Sequence, residues 1–357
     1  MTTNVRPKVF VLYPRGLQTG GPEALHQLVQ ALNEVGVEAA LVATPDTREL
    51  AEVEAYRHYG CPLAEDVEDE IGNFVVAPET FVRHLARFKS AQTVVWWLSI
   101  DNSPLYFREK LYERDSGPLK ERFMTALRSY TSQRTLLAKK AYRAMMARSL
   151  HCTQSAYAWS HLFIREGIAA SMLSDYTRLE SFPIENTRIV ERVGTPTVAF
   201  NPAKGAATVA AMIRERPDLN WLPVQGMDRE QVIAALTTAD VYLDLGHHPG
   251  KDRMPREAAL CGAVVIVAQN GAGAFYADVP IDSVCKVEAS HEAVENAVVA
   301  LDAVLVDLPT YRRRQDSYVS WIRDERERFE LEVRAFFVEG KRGYDPLENG
   351  GPKPIRR

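Results

Sequence analysis

The stretch VYLDLGHHPGKDRMPREAALCGAVVIVAQNGAG, residues 241–273, decides how this sequence is read. Its two runs, residues 241–245, apolar but for Asp244, and 263–268, apolar throughout, have strand length, as strands buried on both faces of a parallel sheet do. Between them lie two histidines, a Pro-Gly pair and five charged residues, Lys251, Asp252, Arg253, Arg256 and Glu257; the segment PREAALCG then opens a helix. Strand, loop, helix and strand in this order form a βαβ unit, and ligands of such sheets bind beyond the carboxyl ends of the strands. The charged residues therefore fall where a ligand is expected.

The same alternation extends upstream. Strand TVAF, helix ATVAAMIRER, strand NWLPV and helix REQVIAALTTA lead into the central stretch. Before them, residues 174–196 lose periodicity and collect polar, Pro and Gly residues, the signature of an interdomain linker. The first half has its own series: strand KVFVLYP, helix PEALHQLVQALNEVG with Leu25, Leu28, Val29 and Leu32 at helical spacing, strand VEAALVAT, and apolar runs at 73–77, 93–100 and 149–153. Two α/β domains follow, each a doubly wound parallel sheet of Rossmann type, facing a central cleft. The expected limits are 1–180 and 181–310, with a C-terminal extension, 311–357, made of a long charged helix over 311–337 and a mobile tail.

Composition supports this and excludes much else. At 357 residues, 46% hydrophobic and 25% charged, the chain suits two globular domains rather than a disordered one. No apolar run nears the roughly 18 residues of a membrane span, and MTTNVRPKVFVLYPR lacks a secretory cleavage site, so a cytoplasmic protein is expected. The four cysteines are widely spaced, which fits reduced core thiols rather than a metal or disulfide framework. Adjacent His247 and His248 lack the i, i+4 spacing of a helical metal pair, and no metal is expected. Residues 120–148 carry eight basic side chains and one acidic, a local +7 in a chain of net charge −4. With apolar residues at helical spacing, this segment is a candidate for peripheral contact with anionic lipid, the plain alternative being a solvated helix face. An acidic chain without a recognisable binding module gives no reason to expect nucleic acid.

The loops after the strands hold the candidate site residues. Gly20 and Gly21 precede a helix and allow close approach of an anion or sugar to backbone amides, although turn chemistry alone also explains them. Lys204, in NPAKG, can place an ammonium on a phosphate or simply be solvated beside a turn glycine. Arg253 stands at a helix start that already favours anions; Glu257, one turn on, suits the two hydroxyls of a ribose as well as the helix dipole. Gly271 sits in the NGAG loop of the same edge. Ser99, Asp101 and Asn102 end the WWLSIDN segment and Ser155 begins the QSAY turn, positions suited to orienting a sugar or acceptor.

These segments resemble GT-B glycosyltransferases, closest to the family 4-like group. KVFVLYPRGLQTGGPEALHQLVQALNEVGVEAALV is similar to their opening strand, Gly-Gly loop and helix; VAFNPAKGAATVAAMI to the first strand of their second domain with its Lys-Gly pair; and DVYLDLGHHPGKDRMPREAALCGAVVIV to their donor-binding segment. The form HPGKDRMPREA, with WWLSIDN and QSAYAWSHL, looks like a bacterial subgroup associated with surface glycans. The resemblance implies a retaining, metal-independent transfer of a sugar from a nucleoside diphosphate donor, with no further cofactor, to a glycan or lipid-linked acceptor. It places Lys204 on the donor diphosphate, Glu257 on the ribose, and Gly20 and Gly21 near the donor phosphate or sugar. Two family positions differ: Pro249 stands eight residues before Glu257 where a glutamate is usual, and Ala199 stands five before Lys204 where an arginine is usual. Arg253 is then the candidate replacement cation, and His248 or Asp252 the candidate catalytic sugar contact. A nucleotide- or partner-binding protein that transfers no sugar, and a sugar-nucleotide epimerase, are the alternative readings.

Overall fold

A computed structural model describes residues 7–106, 136–182 and 194–343. The chain divides into two compact units, one formed by Met1–Gln154, Ala158–Asp175 and Phe329–Tyr344, the other chiefly by Tyr176–Arg328 together with Ser155–Tyr157. Both are built on parallel sheets, as the alternating pattern requires.

In the first unit seven strands pair throughout in parallel. They are β1 (Val9–Tyr13), β2 (Ala39–Ala43), β3 (Leu63–Ala64), β4 (Phe74–Pro78), β5 (Gln92–Trp97), β6 (Leu150–Thr153) and β7 (Ser171–Met172), in the spatial order β3-β2-β1-β4-β5-β6-β7. Val11, Val76, Val94, Trp96 and Trp97 are fully buried in the sheet, which is why these strands carry unbroken apolar runs. Helix α1 (Gly20–Glu34) buries Leu25, Leu28, Val29 and Leu32, the i, i+3, i+4, i+7 stripe legible in the sequence. It ends where Gly36 takes the left-handed conformation, φ +81°. Helices α2 (Leu136–Arg148) and α3 (Ala156–Glu166) follow β5 and β6 in sequence. Residues 120–135 of the basic segment and the tail from 344 onward lie outside the described residues, as do 183–193 of the expected linker.

The second unit holds five parallel strands in the order β12-β11-β10-β8-β9. These are β8 (Thr197–Phe200), β9 (Asn220–Pro223), β10 (Val241–Asp244), β11 (Val264–Ala268) and β12 (Lys286–Val287). Between them run α4 (Ala206–Glu215), α5 (Arg229–Thr238) and α6 (Arg253–Leu260), and after them α7 (Ala293–Val306), α8 (Leu308–Arg323) and the start of α9 (Glu325–Val333), whose residues from Phe329 on belong to the first unit. α5 starts on a capping box, Asp228 with Gln231, a signature present in the sequence MDREQ. The expected single helix over 311–337 is instead α8, α9 and a short π-helical turn at Arg334–Val338, broken at Asp324 with ψ 2°. The break seats Glu325 against interior cations, as described below. Cys152, Cys261 and Cys285 are buried and Cys61 half-buried, all as free thiols. Among the described residues no helix is long and apolar enough to cross a membrane.

Candidate functional site

The stretch that opened the reading forms, in the second unit, the carboxyl edge of β10 and the start of α6. Three loops converge there, after β8, β10 and β11, and glycines let their backbones touch. Gly205, at φ +63°, lies so close to the β10 loop that a Cβ would stand 2.6 Å from the Leu245 carbonyl oxygen. A Cβ on Gly246 would stand 2.5 Å from Lys204 Cβ, and one on Gly271 (φ +62°) 2.0 Å from the His248 carbonyl oxygen. Any side chain at these three positions would force the main chain apart. The β10 and β11 loops are also joined by the Ala272 N–H, which donates to the His248 carbonyl at 2.8 Å.

Lys204 is placed by this packing. Asn201 closes the NPAKG turn by accepting the Ala203 N–H at 3.0 Å on its side chain, and the Lys204 N–H donates to the Asn201 carbonyl. The ammonium contacts the Asp252 carboxylate and lies 3.5 Å from that of Asp244. Burial alone would depress the Lys204 pKa, but the two carboxylates overcome it and raise the value.

Asp244 ends β10 with no exposed surface, and among the described residues neither carboxylate oxygen has a partner in good hydrogen-bond geometry. Burial pushes its pKa up, against the pull of His248 and Lys204. His248, 1% exposed, stands between the two acids: Nε2 is 3.5 Å from Asp244 Oδ1 and Nδ1 is 2.9 Å from Asp252 Oδ2. The latter is a close contact whose geometry falls outside that of a hydrogen bond, and among the described residues Nδ1 has no hydrogen-bond partner. The Asp252 pKa moves down: burial would raise it, and the histidine and lysine outweigh that. Asp244, His248 and Asp252 form the one group, among the described residues, whose ligating atoms come within 4.8 Å of one another. The Lys204 ammonium lies among them and already supplies the countercharge that a metal cation would bring.

The five charges of the opening stretch thus separate into two sets. Asp252 faces Lys204, and Arg253 is half-buried at the first position of α6. Glu257, buried on α6, accepts from Arg229 Nη1 at 2.7 Å, and that guanidinium stacks 5.0 Å over the Phe182 ring. Lys251 and Arg256 face inward to Glu325, at 3.2 Å and 2.9 Å, and Glu325 also accepts the Thr177 N–H at 3.0 Å. All three charged groups are buried, so this cluster anchors α6 rather than meeting a ligand.

Sequence reasoning missed several polar residues here. Asp278, fully enclosed, accepts the N–H groups of Ala156 and Tyr157 at 2.7 and 2.9 Å, and burial raises its pKa to about 6. The amides just after Ser155 are thereby occupied by a carboxylate of the same unit, and Ser155 itself is buried. Lys286 donates to the carbonyls of Gly273 and Phe275, bracing the loop of Gly271, and burial lowers its pKa to about 8. Asp244 had a visible signal, an acid closing an apolar strand. Arg229, Asp278 and Glu325 had none, because their partners lie 28 to 148 residues away.

The other candidates lie in the first unit. Gly20 and Gly21 open α1, and among the described residues a Cβ on Gly21 would meet only Leu98 Cδ1, at 3.8 Å. Ser99, Asp101 and Asn102 follow β5 in a tight turn where Asn102 Nδ2 donates to Ser99 Oγ at 2.8 Å; Asp101 is buried and Asn102 exposed. Behind them the fully enclosed Glu79 carboxylate accepts the Leu98 N–H at 2.9 Å, and burial raises its pKa to about 7.

No protein-family model matches the chain, and no curated protein sequence matches it significantly. Solved structures do resemble it. The lipopolysaccharide outer core galactosyltransferase WaaB aligns with a TM-score of 0.63 at 10% identity, over 94% of this chain and 99% of that one. HepE of Anabaena, in complex with UDP-glucose, aligns at 0.59 and 12% identity, over 93% and 98%. Sucrose-phosphate synthase from Thermosynechococcus elongatus aligns at 0.55 and 13%, over 93% and 95%. Together with the two parallel-sheet α/β units, these likenesses show a chain of GT-B fold.

Proposed function

We propose that the chain is a glycosyltransferase that takes a nucleoside diphosphate sugar at the carboxyl edge of the second sheet and passes the sugar to a glycan or lipid-linked acceptor. The observation that carries this reading is the glycine-locked convergence of three loops that fixes Lys204 beside the first turn of α6. Lys204, Arg253 and the amides of that turn neutralise the charge developing on the leaving diphosphate, the largest electrostatic demand of the reaction. Glu257, oriented by Arg229, binds the ribose hydroxyls, and the Gly271 loop closes the donor site. Asp252, a quarter exposed, is better placed for the sugar than the enclosed His248, which acts through it. Gly20, Gly21, Ser99, Asp101, Asn102 and Ser155 serve the sugar and acceptor. HepE is described with UDP-glucose and a starch synthase of similar fold with ADP and acarbose, which supports a nucleotide donor.

In this reading the reaction is metal-independent, since cationic side chains take the place of a metal, and it retains anomeric configuration, as the family resemblance implies. The protein works at the cytoplasmic face of a membrane. Phe163 and Ile164 of α3 are 50% and 79% exposed, with Trp159 stacked on Phe163 at 5.1 Å. Lys140 and Arg143 of α2 are also exposed, and Arg143 lies 3.6 Å from Glu166 of α3. Exposed apolar side chains on α3 and exposed cations on α2 suit an anionic lipid surface.

The test is a transfer assay with radiolabelled UDP-, GDP- and ADP-sugars, with and without a membrane-lipid or glycan acceptor fraction. Labelled product that forms only with acceptor is expected. Conversion of the donor sugar without acceptor would favour an epimerase, and binding without turnover a non-catalytic role.

A further inference from the structure

We propose that Asp252 is an internal stand-in for the donor diphosphate: in the ligand-free protein its carboxylate occupies the anion position on Lys204, and a nucleoside diphosphate binds by displacing it. The inference rests on the donor-site reading above and adds to it a built-in competitor.

Asp252 is the N-cap residue of α6, where an aspartate ordinarily accepts an N–H from the second or third helical residue. Here it makes no such bond. The third helical residue is Pro255, which has no N–H to offer, so the local sequence removes one of the carboxylate's two normal partners. The side chain turns instead to Lys204 and to His248 Nδ1. The helix start keeps its own amides, and the adjacent lysine carries a carboxylate where a phosphate oxygen would sit.

The surroundings decide which acid is exchanged. Lys204 faces two carboxylates, but Asp244 is completely enclosed while the Asp252 side chain is 25% exposed. An incoming anion therefore meets Asp252 first. Lys204 cannot retreat, because Gly205 and Gly246 hold its backbone between the β8 and β10 loops. Asp252 has an alternative partner in His248, already 2.9 Å away. Diphosphate binding is thus an exchange of one anion for another on a fixed ammonium. The exchange keeps Lys204 ordered when no donor is present and weakens donor affinity, since like charges must separate for the phosphate to arrive.

Calorimetric titration of UDP, GDP and ADP into the wild type, Asp252→Asn and Asp252→Ser tests this, each repeated in a Lys204→Ala background. Asn and Ser cap helices about as well as Asp, so both variants remove the charge while keeping the helix start, which far-UV circular dichroism verifies. The expected result is binding about tenfold tighter in both variants, or binding seen in the variants alone, with the gain absent in the Lys204→Ala background. Equal or weaker binding by both variants, of a diphosphate that the wild type does bind, would overturn the proposal and leave Asp252 as a group that merely positions Lys204. If no form binds any diphosphate, the donor-site reading itself fails, and the inference with it.

Discussion

Glu79 illustrates how much a single enclosed side chain can contribute at a site edge. Its carboxylate supports the Leu98 N–H just before Ser99, and burial pushes its pKa up to about 7 from an ordinary 4.5. A folded pKa above the unfolded one means that the native state binds the proton more tightly. The group therefore favours folding most below pH 4.5, and that contribution is lost as pH rises towards 7. Glu79→Gln, which keeps the acceptor and removes the titration, should flatten this part of the stability profile. Urea midpoints at pH 5 and pH 8 should differ less in the variant than in the wild type; the same difference in both would contradict the assignment. Residues of this kind are hard to find in a sequence, because Glu79 follows its strand like any surface acid. Lys204 was legible for the opposite reason: Asn201, Pro202 and Gly205 mark its turn locally. His248 was legible as a polar residue at a strand end, but its enclosure between two acids depends on the fold of three loops.

At the level of elements, α6 is held by ionic contacts as well as by apolar packing. Lys251 before it and Arg256 within it converge on Glu325, with no water-accessible surface on the acid. Removing one partner of a buried ionic cluster leaves the others uncompensated, at a cost of about 3–5 kcal/mol. Glu325→Ala should lower stability to urea by that amount, and a loss below about 1 kcal/mol would show that solvent or another acid screens the two cations. The sequence suggested one helix through this region because its charged periodicity runs unbroken from Tyr311 to Phe337. Asp324 breaks it, and no Pro or Gly announces the break. What selects it is the position of two cations some 70 residues upstream in the chain, a tertiary demand that overrides helical propensity. The capping box of α5 and the left-handed Gly36 after α1 are, by contrast, built from neighbours in the sequence and owe nothing to distant partners.

For the whole molecule, the alternation of strand and helix dictated parallel sheets, and each unit has one. The strand orders β3-β2-β1-β4-β5-β6-β7 and β12-β11-β10-β8-β9 were not legible, because every crossover has the same local pattern and only sheet packing ranks the alternatives. The candidate donor site inherits this order. β10 is central in its sheet, flanked by β8 and β11, so the three loops that end these strands must meet. Function in this account therefore depends on Lys204 as the cation at that meeting point, and the direct measurement is its thermal response to nucleoside diphosphates and their sugars. A ligand at a hundred times its dissociation constant stabilises by about 2.7 kcal/mol, enough to raise Tm visibly. The account predicts that at least one nucleoside diphosphate raises the wild-type Tm, and that Lys204→Ala requires ten- to a hundredfold more of it for the same shift, the loss of one charge-assisted contact. No response across the panel, or an equal response in the Lys204→Ala variant, would contradict it.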